Sequence, residues 1–139
     1  MEFLINPYQS AGDLVLGMTD KEIQAVLGAP KDIKIQGWDN TQIHTFDQCY
    51  VYFDGNNICE AIELFKPAEV LFDSKNLLSE PYNAIREEFA IRDKQLEHDE
   101  VGLTSIKYGI ELYAPYSDDE PTHPAESVIV FSKGFYDKK

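Results

Sequence analysis

Apolar residues recur at helical spacing in one short segment near the N-terminus. Ile23, Val26 and Leu27 fall on one face of a helix. Thr19 is a suitable N-cap, and the glutamate three positions later completes the pattern of a capping box. Gly28 can adopt a left-handed backbone conformation, and the proline two residues further on prevents the helix from continuing. The pattern therefore predicts a short helix whose three apolar side chains are buried against strands.

The segment after this helix alternates between polar and apolar residues, which is typical of strands. The residues Asp54–Asn57 lie between two apolar runs and form a strong hairpin signal. The predicted strands of this half of the chain are 31–36, 42–46, 49–54 and 58–65.

A second amphipathic segment predicts a helix from Pro81 to about Arg92, with Ser79 as its cap. Its apolar stripe consists of four side chains at helical spacing: Leu78, Tyr82, Ile85 and Phe89. Segment 94–100 is charged, and its pattern fits either a loop or a weak strand. The strands predicted after it are 103–108, 110–114 and 127–131. The last of these is continuously apolar, as central strands are.

The two halves of the chain have similar patterns, because each contains one helix followed by strands and ends on a predicted strand pair. We interpret this similarity as a diverged internal duplication within a single domain, 1–139, with units of about 13–66 and 69–137. The predicted fold class is α+β. It consists of two tandem units of a helix plus mostly antiparallel strands, with the helices packed on one face of the sheet.

Charge narrows the range of partners. The chain has 25 acidic and 12 basic residues and a net charge of −13, which disfavours nucleic acid and anionic membranes as partners. No run approaches the roughly 20 apolar residues of a membrane span, and residues 1–12 lack the pattern of a signal peptide. We therefore expect a cytoplasmic protein, in which Cys49 and Cys59 are reduced, half-buried thiols.

The first helix also carries a resemblance. Residues 16–19 read Leu-Gly-Met-Thr and residues 26–30 read Val-Leu-Gly-Ala-Pro. This phrase resembles one found in the β-lactamase-inhibitor-protein-like fold group, which includes bacterial inhibitors and small outer-membrane assembly lipoproteins. The resemblance implies a helical segment on an antiparallel sheet, two such units in tandem, and a function in protein binding. In its acidity and size, the chain is also similar to the immunity proteins that neutralise bacterial toxins.

Signatures of catalysis are missing from the sequence. His44, His98 and His123 are far apart and do not form a metal-ligating pattern. The sequence contains neither a Gly-x-Ser-x-Gly elbow nor a glycine-rich phosphate loop before a lysine. We therefore expect no catalytic residue, no metal and no cofactor, and we do not expect an enzyme.

What remains is a binding surface that combines acidic and aromatic residues, as tight charged interfaces do. The candidate residues are two acidic segments and three aromatic anchors: Glu97, Asp99, Glu100, Asp118, Asp119, Glu120, Trp38, Tyr113 and Tyr116. The expected function is a non-enzymatic inhibitor that binds a basic protein, such as the catalytic domain of a cognate toxin, with nucleases as one candidate class. One alternative is a small-ligand-binding or enzymatic domain that uses the concave face of its sheet. Another is that the acids only confer solubility while Trp38 and Tyr113 pack in the core.

Overall fold

A computed structural model describes residues 2–36 and 40–136 of the chain. In this part the chain forms thirteen strands and two helices. In order they are β1 (Glu2–Asn6), β2 (Ser10–Ala11), β3 (Leu14–Val15), α1 (Asp20–Leu27), β4 (Asp32–Gln36), β5 (Thr41–Thr45), β6 (Cys49–Phe53), β7 (Cys59–Phe65), β8 (Glu69–Phe72), β9 (Lys75–Asn76), α2 (Tyr82–Arg92), β10 (Glu97–Asp99), β11 (Gly102–Ser105), β12 (Ile110–Tyr113) and β13 (Ser127–Phe131). The α+β class is confirmed, although strands dominate it.

The larger sheet has eight strands in the order β10-β11-β12-β13-β7-β6-β5-β4, and all its neighbours are antiparallel. Strands β7 and β13 pair at its centre, with Glu63 opposite Ile129. The prediction of a central strand over 127–131 is therefore confirmed. The smaller sheet has the order β3-β2-β1-β8-β9, and its β1–β8 pair is parallel. Strand β1 was not among the strands predicted from the sequence.

Helix α1 has the predicted capping box. The Glu22 N–H donates to Thr19 Oγ1 at 3.2 Å, and the Thr19 N–H donates to Glu22 Oε1 at 3.0 Å. Ile23 is fully buried, Leu27 is half-buried, and Val26 is 40% exposed. The predicted burial of Val26 is therefore wrong. Residues four apart lie one above the other on a helix, so the core contacts only the line from Ile23 to Leu27, and Val26 lies at its flank.

Helix α2 ends at Arg92 as predicted, and its apolar stripe is buried, including Tyr82, Ile85 and Phe89. Its predicted cap is wrong, because Pro81 occupies the N-cap position and no side chain caps the helix. Ser79 Oγ instead donates to the main-chain oxygen of Asn76 at 3.4 Å, within the preceding turn.

The hydrophobic core lies on one face of the eight-stranded sheet. Ile23 and Ile85 of the helices belong to the same buried cluster as Val51, Ile62 and Val128 of the strands. The opposite side of the sheet, which we call the open face, carries the alternate residues of the same strands. Most of these residues are half-buried or exposed: Tyr50, Tyr52, Glu63, Glu111, Tyr113 and Ile129. The sheet thus separates a dry core from a polar and aromatic face.

Replacing Ile23 with alanine should lower the free energy of unfolding by about 2–5 kcal/mol, because it leaves a cavity under α1. Val26→Ala on the same helix is the matched control and should change it by less than about 1 kcal/mol, since that side chain is partly exposed. Urea denaturation of both variants measures the difference. Equal losses would mean that α1 is rotated relative to the core.

Candidate binding surface

The first acidic segment lies on the edge strand β10 and the turn after it. Glu97, Asp99 and Glu100 are all exposed. Asp99 Oδ1 accepts a hydrogen bond from the Val101 N–H at 2.9 Å, which fixes the turn into β11. The carboxylate of Asp99 therefore has a defined position although it faces solvent.

The second acidic segment lies in the connection between β12 and β13, where Asp118, Asp119 and Glu120 are also exposed. The N–H of Glu120 donates to the Tyr116 main-chain oxygen at 2.7 Å, and the N–H of His123 donates to the Glu120 main-chain oxygen at 3.0 Å. These bonds give the connection a folded conformation of successive turns. Its carboxylates project from an ordered backbone.

Two hydrogen bonds join the two acidic segments. Buried Ser117 donates from Oγ to the main-chain oxygen of Glu100 at 2.9 Å. The N–H of Ala114 donates to the Val101 main-chain oxygen at 2.7 Å. The segments are thus neighbours at one end of the sheet, and we call their six carboxylates the acidic surface. Its members are Glu97, Asp99, Glu100, Asp118, Asp119 and Glu120.

Two of the three aromatic candidates, Tyr113 and Tyr116, lie in the described part of the chain. Tyr113 is 46% exposed and lies on β12 opposite Gly102 of β11, which in turn lies opposite Asp99 of β10. Tyr116 is 53% exposed, and its ring meets that of His123 edge to face, with the ring centroids 5.8 Å apart. Neither tyrosine packs in the core, so both are available beside the acidic surface. Trp38 lies outside the described residues.

A cavity of about 370 Å³ opens on the sheet beside this surface. Its lining includes three carboxylates, two phenol rings and one hydroxyl: Glu97, Asp99, Glu111, Tyr113, Tyr136 and Thr104. Three of the residues predicted from the sequence, Glu97, Asp99 and Tyr113, therefore share one concave site.

Two further carboxylates lie on the open face, Glu63 and Glu111, and neither was predicted from the sequence. Glu63 accepts hydrogen bonds from the Tyr52 hydroxyl and from Ser127 Oγ, each at 2.8 Å. Glu111 accepts from Thr104 Oγ1 at 3.3 Å and from the Tyr136 hydroxyl. Strand alternation over 59–65 and 110–113 is the signal that could have placed both glutamates on one face.

The phenols of this network titrate far from their ordinary range. Burial raises the pKa of Tyr52, and its hydrogen bond to Glu63 raises it further. Burial and the hydrogen bond to Glu111 raise the pKa of Tyr136 in the same way. Both hydroxyls therefore remain protonated donors at neutral pH, and the two glutamates are held by uncharged partners.

Negative charge on the acidic surface is not neutralised by neighbouring cations. Across residues 2–36 and 40–136 the ion pairs are Lys31–Asp47, Lys75–Glu88, Arg92–Asp73 and His123–Glu126. None of them includes a carboxylate of the acidic surface. Carboxylates that are not paired in this way attract positively charged groups of a partner.

Nucleophilic chemistry at the cysteines is disfavoured by their burial. Cys49 and Cys59 are each 1% exposed rather than half-buried as expected, because both face the core from β6 and β7. Burial raises the pKa of each thiol to about 12.

In the described part of the chain no group of three or more histidine, cysteine, aspartate or glutamate side chains could hold a metal ion. Within the same residues, no helix is long and apolar enough to span a membrane.

Comparisons with protein-family models, with curated proteins and with solved structures find no match to this chain. The resemblance of its first helix to the β-lactamase-inhibitor-protein-like fold group therefore stays a prediction.

We expect both thiols to resist alkylation and Ellman's reagent in the native protein at about pH 8, since a thiol of raised pKa contains little thiolate. In denaturant both should react, which provides the internal control. Rapid reaction of the native protein would contradict the burial of these strands.

Gly102 should be irreplaceable at the start of β11. Its φ is +153°, and an added Cβ would lie 1.9 Å from the main-chain oxygen of Leu112. We expect Gly102→Ala to cost more than about 3 kcal/mol of unfolding free energy, since backbone strain and overpacking add. Gly28→Ala is the matched control. Its φ is +85° and its ψ is −169°, a conformation that favours glycine, but the space around it is open, so it should cost only the backbone strain of about 1–3 kcal/mol. Urea denaturation of both variants tests this.

Proposed function

We propose that this protein is a non-enzymatic inhibitor that binds a basic protein through its acidic surface. The observation that carries the proposal is the hydrogen bond from Ser117 to Glu100, which brings two acidic segments of the sequence together. Six exposed carboxylates that belong to no ion pair of the described residues lie on the two segments that this bond joins. Such a region complements a positively charged surface of similar size.

Aromatic anchors support binding of a protein rather than of small ions alone. Tyr113 and Tyr116 flank the acidic surface and are about half exposed. Tyrosine contributes a large apolar area and a hydroxyl at little cost in side-chain entropy, which is why it is enriched at binding hot spots. In the proposed complex these rings supply the desolvated contacts and the carboxylates supply orientation and encounter rate.

The proposed biological role is that of an immunity protein, which neutralises a bacterial toxin in the cytoplasm. A nuclease toxin must have a basic groove, because the groove holds phosphates. With a net charge of −13, this chain is attracted to such a groove over a long range. Covering the groove would exclude the nucleic acid substrate without any reaction catalysed by the inhibitor.

A second candidate function is favoured by the cavity on the open face. Glu97, Asp99 and Glu111 line it together with Tyr113 and Tyr136, so a small cationic ligand or substrate could bind there. This candidate predicts saturable binding of small polyamines or basic amino acids. Calorimetry with such compounds separates it from the leading proposal, which requires only a protein partner.

We also infer that the chain arose by tandem duplication of a helix-plus-sheet unit. The parallel pairing of Glu2 with Glu69 supports an offset of 67 positions between β1 and β8. From its centre, the eight-stranded sheet also runs outward through β7, β6, β5 and β4 on one side and through β13, β12, β11 and β10 on the other, so the strands of the two halves follow the same order. Ile23 of α1 and Ile85 of α2 are both buried and lie 62 positions apart, so the helices follow a shorter offset than β1 and β8. This alignment extends the first unit back to β1, before the boundary near residue 13 expected from the sequence.

Neutralising the loop carboxylates tests the proposed function. Once the partner has been identified by affinity capture or as a toxin encoded beside this gene, Asp118→Asn/Asp119→Asn/Glu120→Gln should slow association roughly tenfold at low salt. It should also weaken the dependence of the association rate on ionic strength. Stopped-flow or surface-based kinetics across a salt series measures both quantities.

The matched control removes the same charge from the smaller sheet. Glu2, Asp13 and Glu69 are exposed and lie outside the acidic surface, so Glu2→Gln/Asp13→Asn/Glu69→Gln should change association much less. Equal association rates and equal salt dependences for the two triple variants would show that the loop carrying Asp118, Asp119 and Glu120 is not part of the interface. Thermal melts of both variants should match wild type, since exposed charges contribute little to stability.

A further inference from the structure

The edge strand β4 of the larger sheet is exposed along its whole length. Its neighbour on one side is β5, with Ile33 opposite His44. Its other edge has no strand partner within residues 2–36 and 40–136. All five of its residues are exposed. Such an edge presents main-chain N–H and C=O groups that can pair with another strand.

Two large apolar side chains lie on this strand in contact with solvent. Ile33 is 49% exposed and Ile35 is 66% exposed. Because Ile33 lies opposite the buried His44, both isoleucines are on the side of the sheet that covers the core. The core-facing side of the sheet therefore continues to its edge, where its apolar residues are left uncovered.

We propose that β4 pairs with β4 of a second copy of this chain, antiparallel and across a twofold axis perpendicular to the sheet. The pairing would extend the eight-stranded sheet continuously through both copies. It leaves the acidic surface on β10, at the far edge of each sheet, unobstructed. This proposal is independent of the proposed function.

Symmetry limits the registers that the pair can adopt, and charge favours one of them. A twofold axis perpendicular to the sheet leaves the core-facing side of both copies on the same side of the joined sheet. Opposite residues of an antiparallel pair also point to the same face. Ile33 can therefore face only an odd-numbered residue of the second copy. Centring the axis on Lys34 would place two like charges opposite each other, and centring it on Asp32 would do the same. Centring it on Ile33 places Ile33 against its own copy.

Charge complementarity supports this register. With Ile33 at the centre, Asp32 lies opposite Lys34 of the second copy, and the symmetry creates this pair twice. Within the described residues neither Asp32 nor Lys34 belongs to an ion pair of its own chain. Both are exposed at the edge, so they are available for a cross-strand pair.

The dimer should be weak, since a five-residue strand pair buries less surface than a standard stable interface. Each copy has a net charge of −13, so the copies repel each other at long range. Added salt should therefore strengthen dimerisation, because screening reduces this net repulsion. This direction is opposite to that expected for the acidic surface and its basic partner.

Sedimentation equilibrium of the wild-type chain over a series of concentrations and salt levels is the first measurement. We expect a monomer–dimer equilibrium that shifts towards the dimer as the protein concentration or the salt concentration rises. A monomer at every concentration would overturn the proposal and indicate that Asp32 and Lys34 serve to protect the edge. A strand of a different protein would then be the remaining occupant of β4.

A charge-swap cycle tests the register itself. Lys34→Asp and Asp32→Lys should each raise the dissociation constant of the dimer roughly tenfold or more, because two attractive pairs become repulsive. The double variant Asp32→Lys/Lys34→Asp should restore dimerisation. An equimolar mixture of the two single variants should form a heterodimer, in which both cross-strand pairs are again attractive.

Matched controls separate the register from net charge. Lys94 and Asp13 are exposed and distant in sequence from β4. Lys94→Asp and Asp13→Lys reproduce the two charge changes and should alter the dissociation constant much less than the β4 variants. A dimer that responds equally to β4 and control variants, or that is not restored by the double swap, would place the interface elsewhere and overturn the proposal.

Discussion

The antiparallel pairing of β7 with β13 is the contact on which the rest of the molecule depends. Each strand is the last of its half of the chain, and together they join two groups of four strands into one eight-stranded sheet. Ile62 and Val130 lie opposite each other on the core side, and Glu63 and Ile129 do so on the open face. The same register thus fixes both the packing of the core and the position of Glu63 in the polar network.

Local features were predictable from the sequence because their causes are local. The capping box at Thr19 and Glu22 involves residues three positions apart, and the hairpin at Asp54–Asn57 is set by its turn residues. Strand β1 was missed because its main partner, β8, lies 67 positions away in the register. The adjacency of the two acidic segments could not be predicted either, since Ser117 and Glu100 meet only when the sheet has formed.

The open face shows how the chain accommodates carboxylates within a sheet. Glu63 and Glu111 flank Ile129 on neighbouring strands, and each is covered by a tyrosine hydroxyl. Hydrogen bonds from neutral donors satisfy these acids without cancelling their charge. Within the described residues, the hydrogen-bond partners given for both glutamates are hydroxyl groups, and neither glutamate belongs to an ion pair.

The order of the strands also constrains when the fold can be completed during synthesis. Strand β7 is complete at Phe65, but its partner β13 ends at Phe131, close to the end of the given sequence. Until β13 leaves the ribosome, one edge of β7 and the apolar residues around it have no strand partner, and unpaired edges favour aggregation. Before that point, cotranslational folding can shape the N-terminal meander and the smaller sheet, and the central pair closes only after Phe131 has emerged.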